Sequence, residues 1–431
     1  MKKKMKLSKF FYWILPVLAV FGMASCKKQS SLGFTPGTGA PTILSVQTIN
    51  KYKMDTVIQS TTTYSSSGIV TTVLDTNRTH QSVMAFDSTT ATGNLGTMYK
   101  INGTNLGSAT KLTLNGVSVY YNRSLGSDNS IIFTLPNNIP YVQPQPNEMV
   151  VTTLHGSVTY KFTTLPPPPT IIQVSDFDFW SNSQLTLIGK GFASVSAVKL
   201  VATGEDMSIV SQNDSTLVLK APASSSATES TFLFTYTSGS NANAQTASTA
   251  VFNNLDNAYT IVFNNSFHNG WGDNSWSGPS GIQAGNPHAV GGTASAEASF
   301  PAGGWKVEGF ANWWPGFAYD PAYKYLTFWV KGGTVAHKLV LTGNQMVGGY
   351  GQVTVANAYA AQVINIPPTV WTFVKIPLTA PSTAYSQLSP LLNFWANGTT
   401  ANELGFFLQS GQNAVADVDE TYYFDEVAFV K

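Results

Sequence analysis

The sequence predicts an all-β chain of two small β-sandwiches followed by a larger one, and three observations carry that expectation. Few Lys and Glu and many Thr, Val and aromatic residues favour strand over helix, and no long helical period appears after residue 30. Blocks of sequence recur between residues 41 and 222. Composition then shifts after Phe252, with eight of the ten tryptophans lying between Trp271 and Trp395.

The N-terminus comes first. Lys2, Lys3, Lys4, Lys6 and Lys9 precede an apolar run from Phe10 to Phe21. That run is ~12 residues, short of the ~20 a spanning helix needs. A basic start, a short apolar core and small residues before a break make a secretory signal over residues 1–25. The break, Met23-Ala24-Ser25-Cys26, resembles the lipobox of bacterial lipoproteins. The resemblance implies that Cys26 becomes the lipidated first residue of the mature chain, held in the outer membrane at the cell surface. Cys26 is also the single cysteine of the 431 residues, so an internal disulfide is excluded and stability must come from hydrophobic cores. Removing the five lysines takes the net charge from +1 to about −4, and no basic stripe remains to meet nucleic acid. Residues 26–40, small and Gly/Pro-rich, read as a flexible tether.

The repeat follows. Pro41-Thr42-Ile43-Leu44-Ser45-Val46 recurs as Pro169-Thr170-Ile171-Ile172-Gln173-Val174, 128 residues on. Ile101-Asn102-Gly103-Thr104-Asn105-Leu106 recurs from Ile188 as Ile-Gly-Lys-Gly-Phe, 87 on, and the strand from Ser130 to Pro136 recurs from Thr216 to Pro222, 86 on. The difference of 41 implies an insertion in the first copy, roughly residues 50–95, rich in Thr and Ser. Each copy has a strand, a glycine-bearing turn after a second strand, an alternating strand and a proline stop. This pattern, with the Leu114-Asn115-Gly116 hairpin of the first copy, resembles IPT/TIG domains. The resemblance implies two immunoglobulin-like β-sandwiches, over 41–165 and 166–252. The prolines at 166–169 favour a stiff polyproline-II spacer between them.

Residues 255–431 have short aromatic strands separated by Gly/Pro/Asn turns, the pattern of a larger jelly-roll β-sandwich. Strands are expected at Tyr259 to Phe263, Tyr325 to Lys331, Lys338 to Thr342, Thr372 to Ile376, Leu404 to Leu408 and Tyr422 to Val430. The opening from Ile261 to Trp276, the strands Tyr325 to Gly332 and Trp371 to Leu378, and the closing Tyr422-Tyr423-Phe424-Asp425-Glu426-Val427 resemble jelly-roll carbohydrate-binding modules. The whole layout resembles surface glycan-binding lipoproteins of polysaccharide-utilisation systems. It implies non-catalytic capture of an extracellular polysaccharide, beside an importer and hydrolases. A protein-binding adhesin or assembly component is the alternative, because fold alone does not fix function. A glycoside hydrolase is a more distant one.

Tryptophan suits such a task physically. The C–H face of a pyranose packs on a flat indole while its hydroxyls find polar partners at the edge. Trp313 and Trp314 stand at the Asn312-Trp313-Trp314-Pro315-Gly316 turn, where exposing two large rings needs a purpose. Trp271 and Trp276 in a Gly/Asn/Ser loop, Trp305 after two glycines, Tyr350 among glycines and Trp395 before Ala396-Asn397-Gly398 complete the candidate set. Trp371 is expected to be structural, and Trp329 faces opposite Leu326, Phe328 and Val330 by strand parity, with either role open.

Catalytic and metal motifs are weak. Glycoside hydrolysis needs two carboxylates roughly 5–9.5 Å apart. The dense acidic cluster Asp417-Val418-Asp419-Glu420 fits a solvated loop or a structural calcium site better, and laminarinase-type strand motifs are absent. The resemblance offers Asp425 as a calcium ligand but supplies no partners for it. His268, His288 and His337 show no metal-ligand spacing, so no cofactor beyond a structural calcium is expected.

Overall fold

The computed structural model describes residues 33–64, 70–258, 260–288, 292–302, 305–384, 386–409 and 418–431, with backbone alone over 51–83 and at 86 and 409. The signal segment and Cys26 lie outside the described residues. Two compact units meet at the Pro167–Pro168 bond.

In the first unit, one sheet orders the strands Val70–Thr89, Thr42–Tyr64, Met98–Thr104 and Ser130–Thr134. The facing sheet orders Val117–Ser118, Ala109–Leu114, Glu148–Thr153 and Gly156–Lys161. Val46, Ile101, Leu112, Phe133 and Val151 fill the space between them. The Thr/Ser-rich segment becomes a long two-stranded ribbon, paired from Gln47↔Thr89 out to Tyr64↔Val70. Threonine and valine, stiff at χ1 and suited to a pleated surface, favour that extension over a coil. Part of the expected tether is also fixed. The Gly37 N–H donates to Asp128 Oδ1 (2.7 Å) and Asn105 Nδ2 donates to the Ala40 carbonyl (3.0 Å).

The second unit begins with a sandwich whose strands run in the order Thr170–Val174, Gln184–Lys190, Thr216–Lys220, Asp206–Gln212, Val195–Leu200, Phe232–Ser238 and Asn241–Ala247. Leu187, Phe192, Val198, Leu217 and Phe234 are its centre.

The two sandwiches share a structural landmark that shifts one of the sequence repeats. A Cβ on Gly103 or Gly189 would lie 1.9 Å from the carbonyl oxygen of Thr42 or Thr170. The neighbouring strand slips by one residue at each place, between Ile43 and Ser45 and between Ile171 and Gln173. Two residues on, Asn105 (φ 57°) and Gly191 (φ 76°) take the left-handed conformation. Both pairs are 86 apart, so the spacing of 87 read from Ile101 and Ile188 is off by one. Leu187, fully buried, is the counterpart of Ile101, whereas Ile188 is 43% exposed. A slip of one residue in a strand swaps its faces.

The last sandwich has two sheets. The first orders Ser266–Phe267, Thr260–Asn264, Glu420–Val430, Ala294–Phe300 and Ser280–Ala284, with Tyr325–Lys331 also paired to Glu420–Val430 and Trp371–Pro377 beyond it. The second orders Gly272–Asp273, Trp305–Ala311, Glu403–Gln409, His337–Thr342 and Val363–Ile366. Phe310, Leu326, Phe328, Leu341, Phe406 and Phe424 pack between them in a jelly-roll core. The protein is therefore all-β, with two immunoglobulin-like sandwiches ahead of a jelly roll. Among the described residues no helix is long and apolar enough to cross a membrane.

The preceding sandwich seals the outer side of the first sheet. The Phe177 ring lies 5.0 Å from Phe373 and 6.4 Å from Trp329, stacked on both. Trp180 packs against Leu255, Ala428 and Val430, and Lys375 Nζ donates to Asn253 Oδ1 (3.2 Å). This decides Trp329: it points away from the jelly-roll core, yet it is buried, with its Nε1–H donating to Asp176 Oδ1 (3.0 Å).

Candidate glycan-facing aromatic site

The outer side of the second sheet is different: a small second core of Val307, Val340, Val353 and Phe407, with Trp276 and Tyr350 packed against it, covers part of it. Trp305–Ala311 pairs without irregularity with Glu403–Gln409, placing Gly309 opposite Gly405 and Val307 opposite Phe407. Alternation puts Phe310 and Phe406 in the core and sends Trp305, Val307, Gly309, Phe407 and Glu403 outward. Residues 274–276 continue the sheet edge, with Trp276 bridged to Val307. Trp276 and Trp305 therefore share the outer face and meet edge to face, ring centres 5.2 Å apart at 88°. Trp305, 42% exposed, also leans on Phe407 at 6.1 Å.

Two glycines in mid-strand make room for Tyr350. A Cβ on Gly309 would lie 1.7 Å from the Tyr350 hydroxyl oxygen, and one on Gly405 would lie 2.9 Å from its ring. The hydroxyl donates to the Asn274 carbonyl (2.8 Å), and burial raises its pKa, helped by the Glu403 charge nearby. Beside it runs a polar row. Asn274 Nδ2 donates to Glu403 Oε1 (2.9 Å), and Asn344 Oδ1 accepts from the backbone N–H groups of Asn402 (3.0 Å) and Glu403 (3.2 Å). Flat rings flanked by fixed amides and a carboxylate are the combination a sugar needs, with apolar faces to stack on and edges that hydrogen-bond.

Past the end of the same strand stand Trp313 and Trp314, 64% and 87% exposed. Asn312, buried beneath them, anchors the turn: its Nδ2 donates to the Asn269 carbonyl (3.1 Å) and its Oδ1 accepts from the Gly316 N–H (3.3 Å). Gly316, at φ +85°, supplies the left-handed residue that lets the chain return.

Two candidates are corrected. Trp271 is buried against Phe317, with ring centres 5.7 Å apart. Trp395 is fully buried, stacked on Tyr323 at 5.5 Å, and its Nε1–H donates to the Phe317 carbonyl (3.1 Å). Both fill the end of the jelly-roll core, where burying an indole stabilises more than presenting it. Trp371 is half-buried at a strand edge.

Of the acidic groups near this face, Glu403 points outward. Glu308 shares the interior side with Phe310, accepts from Ser275 Oγ (3.1 Å) and lies 4.0 Å from Lys306 Nζ. Burial pushes its carboxyl up to about 8, against the pull of Lys306 and Ser275, and burial lowers the Lys306 ammonium. Of the acidic cluster, Asp417 lies outside the described residues. Glu420 is buried and accepts from the Val335 N–H (3.0 Å) and Thr334 Oγ1 (3.1 Å), so it fastens a loop instead of facing solvent. Asp425 Oδ2 accepts from the His288 N–H (2.9 Å) and its Oδ1 from the Glu426 N–H (2.9 Å).

No family model matches the chain. Over 118 residues, 26% of its length, it is 35% identical to an IPT/TIG domain-containing protein of Bacteroides ovatus. It spans about a quarter (24%) of that relative's length. Among solved structures, the surface glycan-binding protein PbSGBP-B of Prevotella bryantii aligns at 14% identity over 92% of this chain and 99% of that one, with a TM-score of 0.45. SGBP-B from a complex xyloglucan utilization locus in Bacteroides uniformis aligns at 16% identity over 78% and 96%, TM-score 0.38. SGBP-B of the Bacteroides ovatus mixed-linkage glucan utilization locus, in complex with a mixed-linkage heptasaccharide, aligns at 10% identity over 88% and 89%, TM-score 0.27. By its own strands and pairings, the chain is an all-β protein whose jelly roll has one outer face sealed and the other lined with tryptophan.

Proposed function

We propose that this chain is a lipid-anchored, non-catalytic surface protein that captures extracellular polysaccharide on the tryptophan-bearing outer face of its last sandwich. The observation that carries the proposal is the edge-to-face pair of Trp276 and Trp305 on that face, beside Tyr350 and the Asn274–Glu403 row. Trp313 and Trp314 extend the aromatic surface at the far end of the same strand. Cys26 holds the chain in the outer membrane, and the two immunoglobulin-like sandwiches separate it from the binding domain along the sequence. Captured glycan then passes to neighbouring hydrolases and an importer.

Affinity electrophoresis and calorimetry on the mature chain test this, with xyloglucan and mixed-linkage glucan, the sugars named for the structures above, at the head of the panel. Saturable binding that falls at least ten-fold in the Trp276→Ala/Trp305→Ala double variant is expected, with intact polymer recovered afterwards. Binding unchanged in that variant would place the site elsewhere, and shortened polymer would make the protein a hydrolase. Cys26→Ala should release the protein from the membrane fraction without altering sugar affinity.

A further inference from the structure

The sealed side of the jelly roll contains a group of side chains that the glycan reading does not use. Asp176 comes from the second sandwich, just after the strand Thr170–Val174, while His288 comes from the loop after Ser280–Ala284 and Glu426 from the last strand. His288 Nδ1 lies 3.6 Å from Asp176 Oδ2 and 3.7 Å from Glu426 Oε1, and the three donor atoms all lie within 4.8 Å of one another. These separations are too long for hydrogen bonds. Asp176 Oδ2, His288 Nδ1 and both Glu426 oxygens are buried with no donor group of the chain paired to them, the Glu426 carboxyl lies against those of Asp176 and Asp178, and the side chains of Asp176, His288 and Glu426 are 5% exposed or less.

We propose that Asp176, His288 and Glu426 hold one divalent transition-metal cation of the zinc class, which fastens the second sandwich to the jelly roll. Ligands of a tetrahedral zinc, at ~2.0–2.2 Å from the ion, lie ~3.4 Å from one another. The two imidazole–carboxylate separations are within a few tenths of an ångström of that. One nitrogen and two carboxylate donors suit zinc, whereas calcium takes an all-oxygen shell.

The surroundings hold each donor in place. Asp176 Oδ1 accepts from the Trp329 Nε1–H (3.0 Å) and from the Asp178 backbone N–H (2.9 Å), which fixes the orientation of its carboxylate. The His288 ring stacks on Trp329 at 3.6 Å and 14°, with Trp371 edge-on at 5.4 Å, and its backbone N–H is tied to Asp425. Glu426 sits at φ +53°, a conformation uncommon for a side-chain-bearing residue. Outer contacts of this kind orient the ligands of metal sites. Charge points the same way. Asp176, Asp178, Asp425 and Glu426 are all buried here, answered by the His288 imidazole and by Lys375, whose ammonium is bonded to Asn253. Buried carboxylates in such excess call for a cation or for protons.

Zinc binding to the full mature chain, stripped with chelator, tests the assignment. Calorimetry and elemental analysis should find one zinc per chain, and zinc should raise the thermal midpoint. Cobalt(II) should occupy the same site with the intense visible absorption of a four-coordinate ion. Asp176→Asn preserves the acceptor for Trp329 and His288→Gln preserves size, so both variants should fold. Each should weaken zinc by more than ~10-fold, a loss that even outer contacts can cause. The absence of stoichiometric zinc, or calcium bound in its place, overturns the site. If His288→Gln loses zinc and Asp176→Asn keeps it, the ion does not bridge the sandwiches and the fastening role is wrong. Sugar affinity does not enter this outcome, so the metal site and the glycan site can fail separately.

Discussion

The two outer faces of the last sandwich are both rich in tryptophan, and they have opposite fates. On one, Trp329 stacks on His288 and lies under Phe177 of the preceding sandwich. On the other, Trp276 and Trp305 meet edge to face and Trp305 reaches solvent. The strands read alike: each carries a tryptophan, Trp329 or Trp305, at a position pointing away from the jelly-roll core. What separates them is a neighbour. A tryptophan on a sheet's second face is a packing residue where another module covers it and a candidate binding residue where the covering loop leaves it partly exposed, as it leaves Trp305.

Substitutions can break this contrast. The largest effect is expected from Trp395→Ala in the core, at ~3–5 kcal/mol of stability, seen as a strongly lowered thermal midpoint. Trp329→Ala should follow at the lower end of that range, because it removes the stack under Phe177 and the bond to Asp176, and it should leave sugar affinity unchanged. A stable Trp329→Ala that has lost sugar binding would reverse the assignment of the two faces.

Replacing Trp276 and Trp305 together should lower the midpoint less than Trp395→Ala does, because Trp276 is only partly buried and Trp305 is 42% exposed. Each stacking ring should contribute about 0.5–1.5 kcal/mol to binding, and 1.4 kcal/mol is roughly a factor of ten in affinity. Trp313→Ala/Trp314→Ala tests whether the sugar reaches the far end of the strand: a further ten-fold loss means that it does, and an unchanged affinity limits the site to the Trp276–Trp305 end.

Titration gives the smallest effect. Glu308, pushed from 4.5 to about 8 in the folded chain, holds its proton where the unfolded chain has released it. Stability attached to this group is thus present below pH ~4.5 and is lost as pH rises through about 8. Glu308→Gln should flatten that part of the midpoint–pH curve, and matching slopes in both proteins would remove Glu308 as its source.

Sequence alone determined the all-β class, the repeat of the glycine-bearing turn and the six strands expected in the jelly roll, because strand composition and period-two patterning are local properties. It also set the exposure of Trp313 and Trp314, since a Pro-Gly turn gives such rings little to pack against. Gly309 and Gly405 were legible as separate glycines, but their pairing across strands, which seats Tyr350, needed the register. Only tertiary structure placed Trp271 and Trp395 in the core, because a loop tryptophan is buried or presented according to what folds over it. His288 is the clearest case. It is 112 residues from Asp176 and 138 from Glu426, without motif spacing, and it becomes part of a site only when two sandwiches close on each other. Contacts at that separation depend on how modules pack, and no local pattern in the chain encodes them.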